Sequence, residues 1–222
     1  MRRVVLVELL SGFATDEAAR LCGELLRRGP DGAPFDIALL ALAMAIEENV
    51  LPYELHGRIY ADARELGDDL LAQLLLSETA PVAEGEPKAV VIPGRPHITL
   101  GERKALARGP VERHLLDRLL RDPDPMVIEI LLGNPRLTEP DVVRMAARRP
   151  TTPDAQRLIF RSERFIVRYE VKLALASNPY TPSALASRLV PLLSETDRRS
   201  LAEDGKLAEA VRAMARASFR IC

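Results

Sequence analysis

The chain contains no tryptophan, and aromatic residues of all kinds make up only 4% of it. Helical cores do without aromatics, because Leu and Ala fill them and also have the best helix propensities. Proteins that handle single-stranded nucleic acid usually stack bases on aromatics, so this scarcity weighs against that role. There are two cysteines, Cys22 and Cys222, far apart in sequence. They form no disulfide framework, which fits a reducing cytoplasm, and Cys22 reads as a small buried hydrophobe.

Catalytic constellations are also lacking. His56, His97 and His114 have no Cys or carboxylate at metal-ligand spacing, so no metal is expected. The glycines sit singly near helix ends rather than in a phosphate loop. Ser11-Gly12 lacks the flanking glycine of a nucleophile elbow. The pairs Glu47-Glu48 and Asp68-Asp69 are adjacent, and helix neighbours point about 100° apart, so they read as solvated charges. The expectation is a protein that is not an enzyme and has no cofactor. The longest apolar run, Ile37 to Ile46, lies between Asp36 and Glu47 and is too short to cross a bilayer. It reads as a core helix, with no membrane insertion. Glu8 interrupts the apolar run after Met1-Arg2-Arg3, against an export signal. Only Val4–Val7 and Ala89–Ile92 favour strand, so the fold class is all-α.

What is present is a phrase that returns. Gly94-Arg95-Pro96-His97-Ile98-Thr99 recurs 39 residues later as Gly133-Asn134-Pro135-Arg136-Leu137-Thr138. Asn178-Pro179-Tyr180-Thr181 follows 44 residues after Asn134. Each phrase reads as a joint between helices. Asn or Gly ends one helix, Pro prevents continuation, and Thr caps the next. Thr99 with Glu102 makes a capping box, and Thr138 with Asp141 a weaker one. Thr152-Pro153 and Thr181-Pro182 place Pro at the first helical position. The helices before the joints match as well, Val127 to Pro135 against Val171 to Pro179. A fixed-period phrase with matching flanks marks a helical repeat array.

Val127 to Asn134 and Val171 to Pro179 resemble the bacterial HEAT-like repeats, including the leucine-rich-repeat-variant type. The run Ile98 to Pro110, with Asn178 to Pro182 after it, is similar to runs in uncharacterised deltaproteobacterial proteins, myxobacteria among them. The resemblance spans residues 94–193. It implies a curved stack of helix pairs, a HEAT-like α-solenoid. HEAT-like families include scaffolds, DNA glycosylases and lyase-like chromophore enzymes. Their glycosylases rely on Trp and an acidic catalytic residue, and the variant type holds an iron–sulfur cluster on clustered cysteines. This chain has neither Trp nor a Cys cluster.

Three regions follow. Residues 1–77 read as a divergent helical half of four or five helices, either outlying repeats or a cap. Residues 78–97 carry breakers and charge and read as a linker. Residues 98–222 read as the repeats, closed by C-terminal capping helices on which Leu207, Val211 and Met214 form one stripe.

Charge divides along the same line. Residues 15–86 hold 15 Asp and Glu against 5 Arg; residues 87–222 hold 24 Lys and Arg against 16 Asp and Glu. The basic stretch from Arg144 to Lys172 supplies the candidate partner-binding residues Arg148, Arg149, Arg157, Arg161, Arg164, Arg168 and Lys172. Arg157, Arg161, Arg164 and Arg168 would align along one continuous helix, although Ser162-Glu163 could break it in two. The same charges fit three readings: a solvated face paired with Asp154, Glu163 and Glu170, a groove for an acidic protein, or a phosphate-binding surface. The sequence therefore points to a cytoplasmic protein-binding adaptor or scaffold, with nucleic-acid binding through residues 144–172 as the alternative. Oligomeric state has no signature.

Overall fold

Capping side chains begin several of the helices, Thr99, Asp124 and Thr152 among them. The computed structural model describes residues 2–28, 33–76, 98–110 and 112–218. The linker, His97, the first copy of the phrase before Ile98, Ala89–Ile92 and Cys222 lie outside the described residues. The described residues form α-helices and one short 3₁₀ turn, with no strand among them. In chain order the helices are α1 (Arg2–Gly12), α2 (Thr15–Arg28), α3 (Ala33–Glu47), α4 (Tyr53–Glu65) and α5 (Asp69–Leu75). Next come α6 (Leu100–Arg108), α7 (Arg113–Leu119), α8 (Pro125–Leu132), α9 (Glu139–Ala146), α10 (Pro153–Arg161) and α11 (Tyr169–Ala176). The last are α12 (Ser183–Leu189), α13 (Glu195–Glu203) and α14 (Glu209–Ala217). Val4–Val7, a strand candidate by composition, is helical within α1.

The chain divides into two compact units, Pro81–Pro182 and a unit made of Met1–Ala80 with Ser183–Cys222. This differs from the division read from sequence, which placed residues 183–222 with the repeats. α12 packs on α3 and α5, and α14 packs on α5 and α12. The reason is apolar coverage: Leu185, Leu189, Val190, Leu192 and Leu193 are all buried, too many sides for an exposed cap. Buried Arg188 also reaches Glu47 at the end of α3 and donates to the Leu74 carbonyl at 3.4 Å. Glu47 is thus half of an internal ion pair, not a solvated charge. Glu48 pairs with Arg3 at 2.9 Å. Of the run Ile37 to Ile46, read as a core helix, Leu39 to Ile46 is buried throughout, while Ile37 at the start is exposed. Leu207, Val211 and Met214 are buried on one stripe as expected, within this first unit.

The second unit holds two triads, α6–α8 and α9–α11. In each, the first helix packs chiefly on the third, and α8 meets α10 between triads. Thr99 caps α6: its hydroxyl accepts from the Glu102 N–H at 3.3 Å, and Glu102 accepts from the Thr99 N–H at 2.8 Å. Asp124 caps α8, accepting from the Met126 N–H at 2.9 Å, with Pro125 at the first position. Thr152 caps α10 by accepting from the Ala155 N–H at 3.2 Å. Thr181 breaks the pattern. Its hydroxyl oxygen is buried with no partner, and the next helix begins at Ser183.

Candidate interaction surface

Asn134 and Asn178 do the same work in the two joints. Both are buried just past a helix end, after Gly133 and Ser177. Asn134 Nδ2 donates to the carbonyls of Ala107 at 2.7 Å and Gly109 at 3.2 Å, at the end of α6. Asn178 Nδ2 donates to Ala146 at 2.6 Å and Arg148 at 2.9 Å, at the end of α9. Their Oδ1 atoms accept from the N–H of Arg136 at 2.9 Å and of Tyr180 at 3.0 Å. The last carbonyls of a helix have no intrahelical donor. A primary amide can donate twice and still accept, so one side chain closes the first helix of its own triad and turns its own chain.

Between the triads lies an ionic knot. Asp141 at the start of α9 is fully buried. It accepts from Arg113 of α7, from Arg144 at 2.6 Å, and from the Thr138 hydroxyl at 2.7 Å and N–H at 3.0 Å. Asp117 joins from α7, 3.2 Å from Arg113 and 2.9 Å from Arg144. Burial acts to raise the Asp141 pKa. The hydrogen bonds from Arg113, Thr138 and Arg144 outweigh it and hold the carboxyl below the usual range. The sequence shows only half of this, the Thr138–Asp141 spacing. Nothing in its local pattern selects Arg113.

The seven candidate partner-binding residues separate into different roles. α10 ends at Arg161 and Ser162 turns into extended backbone, so Arg157, Arg161, Arg164 and Arg168 do not share one helix. Arg164 faces the first joint: it donates to the carbonyls of Asn134 and Leu137, each at 2.9 Å, and stacks over Phe165 at 4.6 Å. Arg148 donates to the Arg121 carbonyl beyond α7. Burial lowers its pKa, and Arg121 adds to the effect. Arg149 donates to the Ser177 carbonyl at the end of α11 at 2.6 Å. Arg148 and Arg149 place a cation on carbonyls at or just beyond a helix C-terminus, where the dipole favours it, and Arg164 spans the turn from α8 to α9. Lys172 is buried. Arg157 pairs with Asp154 at 3.2 Å and Arg168 with Glu139 at 3.6 Å, and Arg161 is exposed. Of the seven, Arg149, Arg161, Arg164 and Arg168 are exposed, and Arg148 and Arg157 are half-buried.

Phe160 and Phe165 are buried, as gap-fillers between helices would be. His114 is exposed beside Glu112 at 3.2 Å. Among the described residues no group of three His, Cys, Asp or Glu is placed to hold a metal. Burial pushes the Cys22 thiol up to about 12, which leaves it protonated and unreactive. No helix among the described residues is long and apolar enough to cross a membrane.

Comparison with family models, with curated proteins and with solved structures finds no match.

Proposed function

We propose that the chain is a non-catalytic adaptor of the bacterial cytoplasm, which binds an acidic protein through the surface of a HEAT-like helical-repeat unit. One observation carries this reading. Asn134 and Asn178 make the same hydrogen bonds one triad apart, each tying the end of its triad's third helix to the end of the first. Units that recur with the same internal bonds form arrays, and arrays serve as extended binding surfaces. Arg157, Arg161 and Arg168 give that surface its positive charge. Carboxylates interleave this face, Asp154 beside Arg157 and Glu139 beside Arg168, which favours a protein partner over nucleic acid.

The test is affinity capture from nuclease-treated lysate, identification of the captured protein, and rebinding of that protein after purification. Rebinding is expected to weaken with salt and to fall at least about tenfold in Arg157→Glu/Arg161→Glu. Capture of ultraviolet-absorbing material that salt removes would replace this reading with nucleic-acid binding. Unchanged rebinding by the double variant would move the interface off this face.

A further inference from the structure

The unit formed by the two ends of the chain has a cleft of about 650 Å³ between α2, the turn from α4 to α5, and α14. We propose that this cleft is a binding site for a small phosphomonoester with an apolar body, a site separate from the adaptor surface and independent of that reading.

Three arginines line the cleft: Arg20 and Arg27 from α2, and Arg216 from α14. Arg20 and Arg27 are seven residues apart, two turns, and so share a helix face. The floor includes Leu70, Ala213 and Ala217. The volume lies in the range of small-molecule sites, and an apolar floor with a few charged groups is their usual composition.

The acidic residues at the cleft are already engaged. Asp68 caps α5 by accepting from the Leu71 N–H at 3.1 Å, and its other oxygen holds Arg27 at 2.8 Å. Asp69 has an 85% exposed side chain and pairs with Arg64 at 2.9 Å. Arg27 also pairs with Glu24 at 3.6 Å, Arg216 donates to Glu209, and Arg20 is the least closely matched of the three. The carboxylate paired with Arg20 is Asp16 at 3.8 Å, beyond hydrogen-bond reach. Arg216 shares Glu209 with Arg212.

The backbone is shaped to keep Asp68 there. Gly67 takes φ +70° to turn the chain from α4 into α5. A Cβ on Gly23 would come within 2.3 Å of the Asp68 carboxylate, so only glycine lets Asp68 lie against α2. Asp68 then fixes Arg27 through one edge of its guanidinium. Arginines supplied by two helices suit a tetrahedral dianion with three terminal oxygens better than a planar carboxylate, which one guanidinium satisfies.

The experiment is calorimetric titration of the full chain with phenyl phosphate, inorganic phosphate, benzoate and phenol. Phenyl phosphate is expected to bind saturably, more tightly than inorganic phosphate or benzoate, with no binding of phenol. Arg20→Ala and Arg216→Ala should each weaken it about tenfold or more, and Arg20→Lys less. Thermal unfolding of each variant checks that it remains folded. Absence of saturable heat up to about 10 mM phenyl phosphate, a concentration that would reveal even weak affinity, overturns the site. Equal affinity for inorganic phosphate overturns the role of the floor. Unchanged affinity in both folded alanine variants overturns the role of the arginines.

Discussion

Asn178 reaches back 32 residues to the carbonyl of Ala146, to which its Nδ2 donates at 2.6 Å. Asn134 makes the equivalent bond to Ala107, 27 residues back, at 2.7 Å. The loop enclosed differs in length, but the bond is the same. The side-chain chemistry of the joint, not the spacing along the chain, is what the repeated phrase preserves.

Asn178→Ala would leave the Ala146 and Arg148 carbonyls without this donor and the Tyr180 N–H without its acceptor. With the site 1% exposed, water cannot replace them easily. The expected loss is about 2–3 kcal/mol. Urea unfolding of the variant beside Asn134→Ala checks this. The two should lose comparable stability, since they do the same work.

Arg164 and Arg161 should behave oppositely. Arg164→Ala removes the donors to the Asn134 and Leu137 carbonyls and should cost about 1–2 kcal/mol. Arg161→Ala should change stability by no more than about 0.5 kcal/mol, as surface substitutions do. Thermal unfolding of the two variants under one buffer separates them. Equal losses would show that Arg161 also has a structural role.

Asp141→Asn removes the buried carboxylate that Arg113, Arg144 and Thr138 share and leaves Asp117 as the arginines' charge partner. The expected cost near neutral pH is about 1–3 kcal/mol. The pH dependence follows from the sign of the shift. The folded pKa is depressed below the ordinary 3.8, so this contribution is complete above that value. It declines as pH falls below 3.8 toward the folded pKa. Urea titrations at pH 7 and pH 3 should show a smaller gap between the native protein and the variant at the lower pH. A gap that widens at pH 3 would contradict the depressed pKa.

Gly23→Ala sets two effects against each other. Alanine inside α2 favours the helix by about 1 kcal/mol. The added methyl displaces the Asp68 carboxylate and releases Arg27. Melting temperature should therefore move little, while phenyl phosphate affinity falls by about the factor seen for loss of one arginine contact. Calorimetry and thermal unfolding on the same sample give both readouts.

The helical class and most helix boundaries were legible, because their signals are local. Thr99-x-x-Glu102, Thr138-x-x-Asp141 and Thr152-Pro153 each carry a start within four residues, and the Asn-Pro pairs carry a stop. The candidate surface was legible only in part. A run of arginines shows charge but not direction, and Arg164 and Arg148 turn to carbonyls that are 27 or more residues away. Thr181 looked like another cap, but its helix starts two residues later and its hydroxyl is buried. The grouping of residues 183–218 with the first helices had no local signal, since it rests on contacts such as Glu47 with Arg188 across 141 residues.

That long reach has a consequence for the order in which the protein can form. Each triad of the second unit finds its packing partners within a few tens of residues, which favours rapid local assembly. The first unit cannot do the same. When α3 leaves the ribosome with its apolar run from Leu39 to Ile46, α12 and the arginine that answers Glu47 have not yet been made. α1 and α2, already made, cover part of α3, and the part that α12 covers waits through synthesis of the entire second unit. The earliest part of the chain is thus the last to be completed.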